Sequence, residues 1–191
     1  MRLVGLAILI LLLQGCRNPA VRHPYNAKAE AWPIPGRIEA ENFDEGTKAD
    51  PAYWDSTKGS QAPKDQRYRK SDVDIGVDPL LHLADVGWIS PGEWLEYTCR
   101  VQETGLYTIT TRIATAHDDK RFHLEFNGVN GTGDIKAPNT GCWGTDLKGG
   151  ECFGQVAVQH IKLTQGVIRV RFVADTGLYT VDRFDFVKET L

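Results

Sequence analysis

Three carboxylates near the two ends of the chain sit where they could hold a cation. The first two, Glu39 and Glu41, belong to "IPGRIEAENF", and Asp182 belongs to "LYTVDRFDF". Read as strands, these segments place Glu39, Glu41 and Phe43 on one face and Asp182, Phe184 and Phe186 on another. If the phenylalanines are core, three like charges point inward, and each costs several kcal/mol to bury unpaired. A hard cation with oxygen ligands, calcium above all, resolves that conflict. The alternative reading turns Glu39 and Glu41 to solvent with Ile38 and Ala40 inward, and pairs Asp182 with Arg183 or Arg112. Zinc is excluded, because no histidine–cysteine set has suitable spacing.

A second chemistry is aromatic. "DVGWISPGEWLEY" sets Trp88 at the lip of a Ser-Pro-Gly turn and Trp94 just beyond it, and Trp143 lies between Cys142 and Gly144 in a glycine-rich stretch. Indole rings on such turns have few neighbours to bury them, although a tryptophan chosen at random more often packs on the core. An open indole offers a flat apolar plate to a sugar ring, whose C–H face is apolar and whose rim is polar. Hydrolysis of a glycosidic bond would instead need two carboxylates across the bond. Glu93 with Glu96, or Asp118 with Asp119, are the nominees, but turn glutamates and loop doublets are more often structural or solvated. No nucleophile set or open metal site accompanies them.

The elements that must position these groups are strands. "RFHLEFNG" alternates Phe122, Leu124 and Phe126 with polar residues and ends on an Asn-Gly turn. "VIRVRFVA" alternates Ile168, Val170 and Phe172 with arginines, "LYTITTRIA" aligns Tyr107, Ile109, Thr111 and Ile113, and "WLEYTCRV" aligns Leu95, Tyr97, Cys99 and Val101. No long segment keeps a 3.6-residue apolar period. The chain of 191 residues is long enough for one well-cored domain, and its pattern predicts an all-β antiparallel sandwich of two sheets. The net charge of −3 and the lack of a basic patch argue against nucleic acid.

The N-terminus reads as an address. "MRLVGLAILILLLQGC" carries one arginine, an apolar run from Leu3 to Leu13 too short to span a bilayer, and a cysteine after Leu-Gln-Gly. It resembles a bacterial lipoprotein signal, which predicts cleavage after residue 15, acylation of Cys16 and a place in the cell envelope outside the cytoplasm. The alternative is an ordinary signal peptide with an incidental cysteine. Residues 16–33 read as a tether. In an oxidising compartment, Cys142 and Cys152 bracket a loop that a disulfide could close, while Cys99 suits a buried strand position. The rival assignment leaves all three thiols free.

In order along the chain, "IEAENF", "YRKSDVDIG", "VGWISPGEWLEYTCRV", "GLYTITTRIA", "NTGCW", "IKLTQGVIRVRF" and "YTVDRFDF" resemble carbohydrate-binding module family 6, from about Ile34 to Lys188. The resemblance implies a jelly-roll β-sandwich over residues 34–189 with a structural calcium and no catalytic activity. It assigns the metal carboxylates to Glu39, Glu41 and Asp182. The family's loop-end sugar site uses two aromatics, here Trp88 and Trp143, and a polar partner, often asparagine, at the position of Thr180. Trp94, Tyr97 and Arg112 would then be structural, and some relatives also bind along a concave sheet face. The implied function is binding of a polysaccharide, an oligosaccharide or a chain end, in company with separate secreted glycoside hydrolases. The alternative is a structural or partner-binding lipoprotein whose sugar site has degenerated.

Overall fold

The alternation of apolar and polar residues resolves into two sheets that share one core. The computed structural model describes residues 21–63, 68–77, 83–146 and 150–190. Residues 1–15, expected to be a signal peptide, and Cys16, expected to be acylated, lie outside the described residues.

One sheet runs in the order Trp32–Ile34, Trp94–Val101, Gly166–Ala174, Arg121–Phe126, Ile135–Lys136, with Tyr53–Trp54 added beside Trp94–Val101 and Val129–Asn130 beside Arg121–Phe126. The other runs Gly154–Leu163, Gly105–Ala114, Thr180–Lys188, Ala84–Val86, Ile75–Val77, with Gly36–Glu39 paired to Thr180–Lys188. Pairing is antiparallel except where Trp32–Ile34 runs parallel to Trp94–Val101. The architecture is a jelly-roll β-sandwich. No helix among the described residues is long and apolar enough to cross a membrane.

The period-two reading of the strands holds at the residue level. Leu95, Tyr97, Cys99 and Val101 are buried from one sheet and Tyr107, Ile109, Thr111 and Ile113 from the other. The sheets meet through rings: Tyr97 lies edge-on to Phe184 at 5.8 Å and Phe172 lies 5.8 Å from the same phenylalanine. Fully burying each such ring contributes roughly 1.5–3 kcal/mol. The Tyr97 hydroxyl keeps its polarity satisfied by donating to Ala40 O at 2.7 Å. Cys99 is buried, and that burial pushes its thiol well above the usual range. The Asn127-Gly128 turn has positive φ at both residues (52° and 80°), the conformation this dipeptide favours between two strands.

Residues 21–33, read as part of a tether, are instead held on the sandwich. The Arg22 side chain is almost wholly buried among Asp44 (2.9 Å), Glu96 (2.9 Å) and the more exposed Asp50 (3.4 Å). His23 pairs with Glu45 through the backbone in both directions. Tyr25 lies against the Arg69 guanidinium at 3.7 Å, and Phe43 lies on that same group at 4.1 Å. Linear composition hides this docking, because every partner is distant in sequence. Arg22→Ala should cost about 3 kcal/mol, since Asp44 and Glu96 lose a buried counter-charge. Urea unfolding measures it; an unchanged midpoint would show that the arm is not anchored there.

Candidate functional site

Strands Ala84–Val86, Gly105–Ala114 and Thr180–Lys188 leave the second sheet at a common end, because Val181 pairs with both Val86 and Ile113. The loops that follow are bonded to one another. Leu178 N–H donates to Ile89 O at 2.9 Å, Thr115 Oγ1 donates to Leu178 O at 2.8 Å, and Thr140 N–H donates to Thr115 O at 2.8 Å. Trp88, on the first loop, and Trp143, three residues after Thr140, therefore ride on one linked set of loops.

Trp88 is 49% exposed and its backbone is held at φ +50°. That left-handed conformation costs a side-chain-bearing residue roughly 1–2 kcal/mol. Its ring lies beside Gly76, where an added Cβ would sit 3.7 Å from the indole. The turn behind it is clamped by Glu93, whose carboxylate accepts from Ser56 N–H (3.1 Å), Ser56 Oγ (2.6 Å) and Ser90 N–H (2.9 Å). Gly92 completes that turn at φ +88°.

Trp143 is 50% exposed and meets His117 edge-on at 5.4 Å. Its loop is closed by a disulfide between Cys142 and Cys152, whose Cα atoms are 6.2 Å apart. Thr180 is only 5% exposed, with its hydroxyl packed near Gly87. Leu178, 54% exposed at φ +66°, also stands at this end. Neither Leu178 nor His117 stood out in the sequence, because only long-range loop bonding brings them here.

The carboxylates combine parts of both sequence readings. The strand Gly36–Glu39 stops at Glu39 and Ala40–Asn42 forms a 3-10 turn, so the strict alternation that put Glu39 and Glu41 on one face breaks there. Ile38 and Ala40 are fully buried, Glu39 is half-buried, and the turn carries Glu41 into the interior. Asp182 falls at a register shift between Val181 and Arg183, a bulge that leaves it without a cross-strand partner. It is buried, and its Oδ2 accepts from both Arg112 (2.8 Å) and Arg183 (2.7 Å).

Glu41 is less well served: its Oε2 is buried with no hydrogen-bond partner among the described residues. Burial pushes its carboxyl up to about 8, and the nearby charges of Glu39, Asp182 and Asp85 push the same way. Glu39 is raised as well, first by burial and then by Asp182. No three His, Cys, Asp or Glu side chains among the described residues already converge as a ligand shell. The unmet charge demand at Glu41 still fits a hard cation, with Glu39 and Asp182 as its neighbours.

The hydrolase nominees have structural partners. Glu93 is the turn clamp, and Glu96 is buried between Arg22 and Arg171. Asp118 and Asp119 are exposed loop residues bonded to Asn139 and Lys120.

The model of one protein family, described as carbohydrate binding module (family 6), matches residues 69–188. Among curated proteins no sequence matches. Solved structures share the fold. The C-terminal module of a laminarinase from Zobellia galactanivorans is 21% identical with a TM-score of 0.57, over 80% of this chain and 98% of that one. A β-1,3-glucan-binding module from Bacillus halodurans is 20% identical with a TM-score of 0.56, over 82% and 98%. A module of lichenase 5A from Cellvibrio mixtus, solved with cellotriose, is 18% identical with a TM-score of 0.55, over 83% and 99%.

Proposed function

The chain belongs to carbohydrate-binding module family 6, and on that premise we propose that it is a cell-envelope lipoprotein that holds a polysaccharide or its chain end, without catalysis, between Trp88 and Trp143. The observation that carries this reading is Trp88 itself. A half-exposed indole kept in a left-handed backbone repays neither its strain nor its exposure through packing, and strain of that kind persists where a ligand uses it. Trp143 supplies the second plate, fixed at its edge by His117 and at its base by the disulfide. The family consists of non-catalytic binding modules, and the sugars seen with relatives, cellotriose in one and cellobiose in another, are neutral rings with apolar faces.

Affinity electrophoresis in gels containing xylan, β-glucans, agarose or mannan tests the reading; retardation in at least one gel is expected. No retardation in any gel, with a protein co-purifying at stoichiometric level, would favour the partner-binding alternative. Burial of Thr180 where relatives often carry an amide speaks for that alternative. Opening the Cys142–Cys152 bond should weaken retention, because Trp143 loses its anchor, and should lower stability by up to about 3 kcal/mol for a loop of this length. Melting and gel retardation with and without reductant measure both effects, and unchanged values would remove the disulfide from the site.

Glu39, Glu41 and Asp182 would hold the structural calcium, whose charge offsets theirs when bound. A cation there would tie the strand Gly36–Glu39 to the last strand, with which it pairs at Glu39–Arg183. Acylation at Cys16 would place the membrane within about 20 Å of Arg22, which lies only six residues further on. The anchored module would then sit against the lipid surface, where it could retain substrate for separate secreted glycoside hydrolases.

A further inference from the structure

The N-terminal arm forms an open groove of about 510 Å³ against the sandwich, walled by Tyr25, Trp32 and Tyr68 with His23, Asn42 and Glu45 among the polar groups. That volume lies within the ordinary range for small-molecule sites. Every residue that lines it precedes residue 69, where the match to the family model begins, and His23, Tyr25 and Trp32 also precede Ile34, where the family-like motifs begin.

The groove's chemistry is selective. Trp32 is part-buried and its indole Nε1–H is sealed from solvent, so what it offers the groove is apolar ring surface. The Tyr68 hydroxyl donates to Asn42 Oδ1 at 2.9 Å, which fixes that wall. Tyr25 is steadied by the Arg69 guanidinium at 3.7 Å and by the edge-on ring of Tyr68 at 6.0 Å. A wholly apolar ligand would strip water from the Asn42 amide and the Glu45 carboxylate without replacing it. The Glu45 carboxylate is paired with Arg69 at 3.7 Å and lies 3.8 Å from His23, so the groove offers neither an anion nor a cation an unpaired counter-charge. A neutral ring with apolar faces and hydroxyls at its edge suits all of these walls.

We infer that this cleft between the arm and the sandwich is a second binding site, taking a single neutral sugar ring independently of the loop end. The arm then has a function beyond linkage, since it brings Tyr25 to the site.

The five tryptophans give five indole N–H signals in a ¹⁵N-labelled sample, and Trp32→Phe identifies the one that reports this cleft. Cellobiose, laminaribiose, xylobiose and mannobiose are titrated into the Trp88→Ala/Trp143→Ala protein. At least one is expected to shift the Trp32 signal saturably, and Tyr68→Ala should weaken that binding roughly tenfold, as loss of an aromatic anchor does. If Tyr68→Ala melts early, Tyr68→Phe removes only the hydroxyl and should still weaken it. A Trp32 signal unmoved by all four sugars overturns the inference. So does a shift that occurs only when Trp88 and Trp143 are intact, since it would then be relayed from the loop end. In the wild-type protein, movement of Trp32 with static Trp88 and Trp143 signals would sink the loop-end reading and leave this one standing.

Discussion

Replacing Trp88 and Trp143 together by alanine should abolish retention on the polysaccharide that the wild-type protein holds, with the fold intact. Each indole is an exposed plate, and truncating an aromatic anchor at a binding site costs about 2 kcal/mol, roughly thirtyfold in affinity. Each single variant should therefore remain measurable by calorimetry, whereas the double variant falls by about a thousandfold if the two losses add. Stability should fall by roughly 1 kcal/mol per ring, because each side chain is only half buried. Trp88→Gly separates binding from folding more sharply. It relieves the backbone at φ +50° and should be about 1 kcal/mol more stable than the alanine variant while weakening binding as alanine does. Undiminished binding by the double variant would remove the loop end as the site.

In chelator, the protein should lose stability as pH rises from 5 to 8. The folded-state carboxyl of Glu41 lies at about 8, against an ordinary value of 4.5. Below that ordinary value the group is protonated in both states and contributes no slope. Between the two values the unfolded chain gives up its proton while the folded chain keeps it, so each unit of pH favours unfolding. The loss reaches on the order of 5 kcal/mol near pH 8 and then levels off. Glu39, raised for similar reasons, adds to the same slope.

Calcium should remove most of this loss, because it compensates the ionised carboxylates, and should do little at pH 5. Urea unfolding at the two pH values, in chelator and in calcium, reads the difference. Glu41→Gln should flatten the slope in chelator and reduce the gain from calcium. Sugar retention should survive chelation, since the plates ride on loops held by Thr115, Thr140 and the disulfide. Equal stability at pH 5 and pH 8 in chelator would show that Glu41 ionises without penalty, and would remove the case for a cation.

Most of the sandwich was legible in the linear chain. Alternation in "WLEYTCRV", "LYTITTRIA", "RFHLEF" and "VIRVRFVA" depends only on the two-residue period of a strand, and the buried faces follow it. The Asn127-Gly128 turn was legible for an equally local reason, the ease with which those two residues take positive φ. Trp88 and Trp143 are marked by their turn positions and by the family motifs around them, and both rings are half exposed in the structure.

Local pattern gives no sign of contacts that span the chain. Glu41 and Asp182 are buried, as strand alternation would have them, but through a 3-10 turn after Glu39 and a bulge against Gly105–Ala114 instead. Residues 21–33 looked like a linker because the groups that hold Arg22 and Tyr25 lie 22 or more residues away.

Local periodicity and turn chemistry thus specify which residues face the core and where the chain reverses, because both act between near neighbours. Which loops lean together, which carboxylate is left without a partner and whether an arm docks depend on the register of strands from opposite ends of the chain. Those are sums of long-range packing and charge, and they take a value only once the sheets have met.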